Sequence, residues 1–365
     1  MQKNNKITFL ISSLNAGGAE KVALLVMNEL VRRNWEVTFL LTKLEGPYLQ
    51  FLDSRVKIIV LSNKKISKNI FSIAKYLKKN SPDVFYSSMM YINIIAGISA
   101  KLANYRGKLV FSEHSHPSAV LETQGNVIVK FIFLIAKYIY PFAKSIICVS
   151  DGIKDDLNKM FKRLPDLFVV NNPVEIKEYN QPELDSNIFK IVSVGRLHKD
   201  KNFELLIRTF SLLINNNQQT NIHLFILGEG NHRKNIELLI TELNLENKVT
   251  LMGFVDSPTE FVNNCDLFVF PSNREGFGNV LVEALSTGIP IISADCPSGP
   301  AEILDYGNYG ALFPINDSES LYTQIQNELN NSTRLDPNLV NKRKVRALDF
   351  KVETIVNKYV EVFEN

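Results

Sequence analysis

Pro271-Ser272-Asn273-Arg274-Glu275-Gly276-Phe277-Gly278-Asn279-Val280-Leu281-Val282-Glu283 is the stretch on which the fold turns. It follows the apolar run Leu267–Phe270, which has the composition of a buried strand, and enters a segment of helical period, Val280–Ser286. Strand, short loop and helix make the repeating unit of a parallel sheet, because a parallel neighbour is reached only by a crossover. Gly276 and Gly278 make the loop tight. Glu275 and Glu283 lie eight positions apart, about 80° around a helix if the whole span were helical. With the loop taken out, Glu275 stands on the loop and Glu283 on the second helical turn, both able to face one cleft. The backbone N–H groups of Gly278, Asn279 and Val280 would open that helix, at a positive dipole end suited to a diphosphate. The plainer alternative makes Glu275 a helix cap and Glu283 a solvated surface residue.

Working outward, the same unit recurs along the chain. Strands are expected at Ile7–Ser12, Glu36–Leu41, Val56–Leu61, Asp83–Ser87, Lys108–Ser112 and Ser145–Val149, then at Phe189–Val194, Ile222–Leu227, Val249–Leu251, Leu267–Phe270, Ile289–Ser293 and Ala311–Phe313. Helical periods lie between them, among them Ala19–Arg33, Ile66–Lys79, Val127–Tyr140, Asn202–Ile214 and Ser318–Asn330. A length of 365 residues exceeds what one core usually supports. Asn171-Asn172-Pro173-Val174 and the polar stretch Glu175–Asn187 mark a break. The reading is an α/β chain with two Rossmann-like domains around a central cleft: 1–172, a linker 173–187, and 188–340. A C-terminal helix, 341–365, is expected to pack back toward the first domain.

The composition, 45% hydrophobic and 22% charged, is that of a globular protein and excludes disorder, collagen and coiled coil. Formal net charge is +3, but residues 1–180 carry 25 Lys and Arg against 14 acids, whereas 181–365 carry 16 against 24. An acidic second half argues against nucleic acid as a partner. Cys148, Cys265 and Cys296 are odd in number and far apart, with neither metal spacing nor a disulfide framework, which fits a reducing cytoplasm. Lys3 and Lys6 precede only a short apolar run, Ile7–Ile11, better read as a first strand than as a signal peptide. No stretch reaches the ~18 apolar residues of a spanning helix.

Ligands of such sheets bind beyond the carboxyl ends of the strands. Arg196 and Lys201 follow a strand and lie within reach of one anion. Gly17 and Gly18 follow the first strand and open a helix, allowing either a tight turn or close approach of a phosphate or acceptor. Glu113-His114-Ser115-His116 follows the fifth strand, with His114 the first candidate for a cleft histidine and His116 its competitor. Neither Asn15-Ala16-Gly17-Gly18 nor Gly228-Glu229-Gly230 completes G-x-G-x-x-G, which disfavours a dehydrogenase.

The two glutamates and their surroundings resemble the E-x7-E motif of glycosyltransferase family 4, the retaining glycosyltransferases of GT-B fold. Further segments agree in order: Gly195-Arg196-Leu197 with Lys201-Asn202, Gly228-Glu229-Gly230, Met252-Gly253-Phe254-Val255, and in the first half Leu14–Glu20, Glu113–His116 and Cys148–Gly152. The resemblance implies that Arg196 and Lys201 hold donor phosphates, that Glu283 binds the nucleotide ribose and that Glu275 contacts the donor sugar. It further implies that Phe254 and Val255 line the base site, that the donor is a UDP-sugar, and that His114 lies near the reacting sugar. Ser298-Gly299-Pro300 with Glu302-Ile303-Leu304 resembles a loop of members that build bacterial surface polysaccharide and lipid-linked oligosaccharide. No paired aspartates of D-x-D type stand at a strand end, so no metal and no cofactor are expected. A GT-B nucleotide-sugar epimerase and a non-catalytic carbohydrate-binding protein are the alternatives.

Lys64–Lys79 carries six lysines and no acid, and Ile66, Ile70, Ile73 and Leu77 fall on one helical face. Asn126–Tyr140 is more apolar, with Lys130 and Lys137 around Phe131–Ile135. Both suggest that the basic half docks on the anionic inner leaflet and meets a polyprenyl-diphosphate-linked acceptor there. The expected location is cytoplasmic, peripheral on the inner face of the cytoplasmic membrane.

Overall fold

The computed structural model of the protein describes residues 5–15, 17–125, 127–180, 188–216 and 221–365. Lys3, Ala16 and residues 181–187 of the expected linker lie outside the described residues. The chain forms two compact units, Met1–Val174 with Lys351–Asn365, and Glu175–Phe350.

Unit 1 runs β1 (Lys6–Leu10), α1 (Gly18–Arg32), β2 (Glu36–Leu41), β3 (Lys57–Val60), α2 (Ile70–Asn80), β4 (Val84–Ser88), α3 (Met90–Ala103), β5 (Lys108–Glu113), α4 (Pro117–Gln124), α5 (Val127–Ile139), β6 (Ser145–Cys148), α6 (Asp151–Met160) and β7 (Asp166–Val169). The chain's final helix, Val352–Glu364, completes it. Its seven strands, in the order β3-β2-β1-β4-β5-β6-β7, are all parallel. A parallel strand covered on both faces must be apolar throughout, and β1 accordingly buries every residue from Ile7 to Leu10. One face is sealed by Val22, Val26, Met27 and Leu30 of α1 and by Ile355, Val356, Tyr359 and Phe363 of the final helix. Tyr86 lies against Phe9, Tyr359 and Phe363, with ring centroids 4.8, 6.3 and 5.9 Å away. Burial of each such ring stabilises by about 2–3 kcal/mol.

Unit 2 runs β8 (Phe189–Val194), α7 (Phe203–Asn216), β9 (Ile222–Leu227), α8 (Arg233–Glu242), β10 (Val249–Gly253), α9 (Pro258–Asn263), β11 (Leu267–Phe270), α10 (Asn279–Thr287), β12 (Ile291–Ala294), α11 (Pro300–Ile303), β13 (Ala311–Phe313), α12 (Ser318–Asn330) and α13 (Pro337–Leu348). Its strands are also all parallel, in the order β10-β9-β8-β11-β12-β13. The winding reverses between β8 and β11, and in unit 1 between β1 and β4. Such reversals open a crevice at the carboxyl ends of the strands.

Three expectations need correction. The segment 341–365 is not one element. Its first part belongs to α13, where Arg343 donates to the Gly288 carbonyl at 3.1 Å and Arg346 to that of Glu302 at 2.7 Å, within unit 2. Only Lys351–Asn365 joins unit 1, where Lys351 bridges to Val174. The described residues of the linker 173–187 are likewise not free. Val174 is buried in unit 1, while Tyr179 and Asn180 accept hydrogen bonds from Lys344 (2.8 Å) and Asn263 (3.0 Å) of unit 2. Finally, the apolar stripe of Lys64–Lys79 faces inward: Ile66, Ile73 and Leu77 are buried and α2 packs on α3, leaving the lysines, Ser67, Ser72 and Phe71 outside.

Candidate functional site

In unit 2 the sequence-marked residues gather at the carboxyl edge of the sheet. The loop after β8 carries Gly195, Arg196 and Lys201, and the loop after β11 carries Glu275. Lys201 Nζ and the Glu275 carboxylate form an ion pair across the β8/β11 reversal, with side chains 24% and 11% exposed. The two loops are tied elsewhere as well. Asn273 N–H donates to the Asp200 carbonyl at 2.8 Å, and Asn202 Nδ2 donates to Asn273 Oδ1 and Asn316 Oδ1, each at 3.0 Å. Asn202 takes a left-handed backbone (φ 53°), a conformation Asn tolerates better than most residues. The Arg196 side chain is exposed and makes no hydrogen bond or ion pair among the described residues, while its carbonyl accepts from His198 N–H at 2.7 Å.

The glycine turn after β9 is a packing device. A Cβ at Gly228, whose φ is +134°, would sit 2.1 Å from the Gly195 carbonyl oxygen, and one at Gly230 would sit 2.1 Å from that of Leu197. These glycines let the Arg196 loop lie directly on its neighbour, with Leu197 N–H donating to the Glu229 carbonyl at 2.9 Å. Gly278, at φ 108°, turns the chain into α10, whose first turn holds Asn279 and Val280. Glu283 follows on the next turn and lines a small cavity with Val194, Thr259 and Val280, beside the end of β8. Phe254 and Val255 lie two strands away, beyond β10, the Phe254 side chain exposed and Val255 half-buried. Beneath the ion pair, burial and then the Glu275 charge push the Cys296 thiol up to about 12, leaving it protonated and inert. Among the described residues no three His, Cys, Asp or Glu side chains are grouped to hold a metal ion.

Gly17, Gly18 and His114 belong to unit 1, at the carboxyl ends of β1 and β5. Gly17 caps α1 and a Cβ there would first meet the Glu20 side chain, whereas Gly18 is exposed with nothing within 4 Å of an added Cβ. Packing therefore does not explain Gly18. The two histidines differ in surroundings. His116 caps α4 and lies 3.7 Å from Asp156. His114 Nε2 and Ser112 Oγ are 3.0 Å apart, and its Nδ1 is enclosed without a partner. Burial lowers the His114 pKa to about 4, so the ring is neutral at pH 7.

Sequence reasoning passed over Glu113, the neighbour of His114. It is fully buried at the end of β5 and accepts hydrogen bonds from Tyr140 Oη and, at 2.7 Å, from Asn93 Nδ2. Burial outweighs both and pushes its carboxyl up to about 7. A charged residue ending an otherwise apolar strand was the available signal. Met89 was missed too. It opens α3 at φ 75°, a strained value for a non-glycine residue, and its N–H donates to the Ser112 carbonyl at 3.0 Å.

Comparison with known proteins bears on both units. Residues 16–178 match the family described as Glycosyltransferase Family 4, and residues 175–345 match Glycosyl transferases group 1. Over 370 residues the chain is 30% identical to the N-acetylgalactosamine-N,N'-diacetylbacillosaminyl-diphospho-undecaprenol 4-alpha-N-acetylgalactosaminyltransferase of Campylobacter jejuni, covering 94% of this chain and 95% of that protein. It is 25% identical to the amylovoran biosynthesis glycosyltransferase AmsD of Erwinia amylovora, covering 98% and 99%. The crystal structure of HepE from Anabaena in complex with UDP superposes with a TM-score of 0.83 at 21% identity, over 98% of this chain and 99% of that one. That likeness establishes the GT-B fold. The chain belongs to glycosyltransferase family 4 and is an enzyme that transfers sugar residues.

Proposed function

We propose that the enzyme moves a hexose or N-acetylhexosamine from a UDP-sugar, with retention of configuration, to a polyprenyl-diphosphate-linked glycan in bacterial surface polysaccharide or glycoconjugate synthesis. The observation that carries this is the Lys201–Glu275 pair at the β8/β11 reversal, with exposed Arg196 on the same loop as Lys201 and α10 following the loop of Glu275. Cleaving a glycosyl–phosphate bond leaves charge on the diphosphate. Arg196, Lys201 and the first N–H groups of α10 stabilise that charge electrostatically, so the reaction needs no metal ion. Glu275, released from Lys201 as the diphosphate binds, accepts hydrogen bonds from the sugar hydroxyls, and Glu283 does the same for the ribose. The base lies along Phe254 and Val255. His114, neutral at pH 7, is assigned the role of the histidine near the reacting sugar. The carboxylates hold the donor and do not act as the acid/base couple of a hydrolase.

The names of relatives support this reading. The Campylobacter jejuni enzyme takes a diphospho-undecaprenol-linked acceptor by name, and the HepE crystals hold UDP. We further place the basic unit on the anionic inner leaflet. Among the described residues no helix is long and apolar enough to cross a membrane. Helix α5, however, exposes Val127, Ile128, Phe131, Leu134 and Tyr138, and residues 123–150 contain three lysines and no acid. Apolar side chains framed by lysines suit a headgroup interface, each basic residue adding about 1 kcal/mol near anionic lipid. The docking element is therefore α5 with the lysines of α2, and the apolar face of α2 takes no part. The test is a screen of UDP-, GDP- and ADP-sugars with lipid-linked acceptors, reading nucleotide release. Release of UDP only when acceptor is present supports transfer. Epimerised donor without release, or binding without turnover, overturns it.

A further inference from the structure

Ser298 and Gly299 are not donor ligands in the reading above, yet they touch the loop that carries Glu275. Ser298 Oγ donates to the Glu275 carbonyl at 3.1 Å and lies 3.4 Å from that of Gly276. Gly299 passes so close to Phe277 that a Cβ there would sit 1.9 Å from the Phe277 carbonyl oxygen. Both residues take left-handed backbone, with φ of 68° and 78°. That is ordinary for glycine, but for serine it persists only where the surroundings enforce it. They do so here. Gly299 N–H donates to the Glu302 carboxylate at 3.4 Å, and Arg346 of α13 donates to the carbonyls of Glu302 (2.7 Å) and Ile303 (3.0 Å). Phe277 in turn packs edge-on against Phe350, 5.6 Å between centroids. A chain of contacts thus runs from α13 through α11 and the turn to the backbone of Glu275.

Glu275 is held at two points, by Lys201 at its carboxylate and by Ser298 at its main chain. A donor diphosphate that engages Lys201 removes the first tie. The second then decides where the freed carboxylate points. We infer that the Ser298–Gly299 turn is a positioning element that aims Glu275 at the donor sugar, and so governs discrimination between donor sugars rather than affinity for the nucleotide. The inference rests on the proposed role of Glu275. Its physical basis is the angular steepness of hydrogen bonds: epimeric sugars differ in the direction of one hydroxyl, and a carboxylate displaced by about 1 Å loses that distinction. The nucleotide end is held from the β8 loop and α10, so it keeps its own anchors.

Ser298→Gly removes the hydroxyl while favouring the same backbone, and Ser298→Asn keeps a side-chain donor in a residue that tolerates φ > 0. Calorimetry gives the UDP dissociation constant. Initial rates with acceptor give kcat/KM for whichever epimer pair the wild type discriminates, UDP-GlcNAc against UDP-GalNAc or UDP-glucose against UDP-galactose. Both rates come from one sample, so their ratio does not depend on the folded fraction. The expected result is UDP affinity within about twofold of wild type and a donor ratio reduced about tenfold in Ser298→Gly, recovering in Ser298→Asn. An unchanged ratio in Ser298→Gly overturns the inference, as does an equal loss for both donors that tracks lost UDP binding. A wild type that turns over no UDP-sugar refutes the donor reading itself, which is a different result.

Discussion

Replacing Glu113 by Gln tests the buried network of unit 1 through its pH dependence. The carboxyl is 1% exposed, and it is shifted from 4.5 to about 7, chiefly by burial, against the lowering effect of its hydrogen bonds from Tyr140 and Asn93. Asn93 is itself fixed, accepting from Ser87 Oγ at 2.7 Å and donating to the Ser112 carbonyl at 3.1 Å, so the site cannot open to water without breaking β4, β5 and α3 apart. The sign follows from proton counting. Between pH 4.5 and about 7 the folded state holds a proton that the unfolded chain has lost. Stability in the wild type is therefore highest below 4.5, falls as pH rises through this window, and levels off above about 7. A shift of this size corresponds to about 3 kcal/mol at 1.36 kcal/mol per pH unit. Glutamine has nothing to ionise, so relative to wild type the Glu113→Gln variant gains about 3 kcal/mol between pH 4.5 and 8. The single tryptophan, Trp35, packs on the unit 1 core with its ring 6.0 Å from Phe363, so its fluorescence follows this unit through urea unfolding. Wild-type and variant curves that stay parallel within about 0.5 kcal/mol from pH 5 to 8 would falsify the argument, because Glu113 would then be ionised throughout.

Glu275→Ala and Arg196→Ala should each lower turnover about 10²-fold or more, with Arg196→Ala melting within a degree or two of wild type because that side chain is exposed and unpaired among the described residues. Retained turnover in either discredits the donor site. Gly18→Ala should fold normally, since nothing lies within 4 Å of the added methyl, yet lower the transfer rate. Unchanged transfer makes Gly18 a helix-start residue only. Phe131→Ser with Leu134→Ser, both on the exposed face of α5, should release the enzyme from phosphatidylglycerol vesicles in co-sedimentation while leaving UDP affinity intact. Wild-type binding that ignores anionic lipid content and salt defeats the docking reading.

The parallel sheets were legible because strands buried on both faces leave unbroken apolar runs, as in β11, where all four residues are buried. What escaped was set by tertiary context. β7 is a half-buried edge of four residues beginning with Asp166, too short and too polar at its start to stand out. The break between α13 and the final helix is invisible in the sequence, because both sides carry helical period. It is fixed by the carbonyls that Arg343 and Arg346 find in unit 2, and by the pocket that Tyr359 and Phe363 fill in unit 1. The apolar stripe of α2 was read correctly as a stripe. Periodicity says that such a face is covered, but not whether lipid or α3 covers it.

At the site, spacing alone brought out Glu275 and Glu283, because both sit on one loop-helix unit. The Lys201–Glu275 pair could not be seen that way, since its partners come from loops 74 positions apart in the chain. The charge division follows a similar logic. Counted by unit rather than by half, unit 1 carries 26 Lys and Arg against 15 acids, and unit 2 carries 15 against 23. The proposed binding of a diphosphate by an acidic unit looks contradictory until screening is considered. At physiological salt the Debye length is about 8 Å, so distant acids count for little and the exposed Arg196 with the half-buried Lys201 dominate the local field. Two cations give donor binding a shallow salt dependence. The proposed docking, which would engage the six lysines of Lys64–Lys79 together with those around α5, would give membrane binding a steep one. Raising ionic strength should therefore strip the enzyme from anionic vesicles well before it weakens UDP. If the two fall together with salt, the cations of unit 1 and those of the donor loop do not have separate tasks.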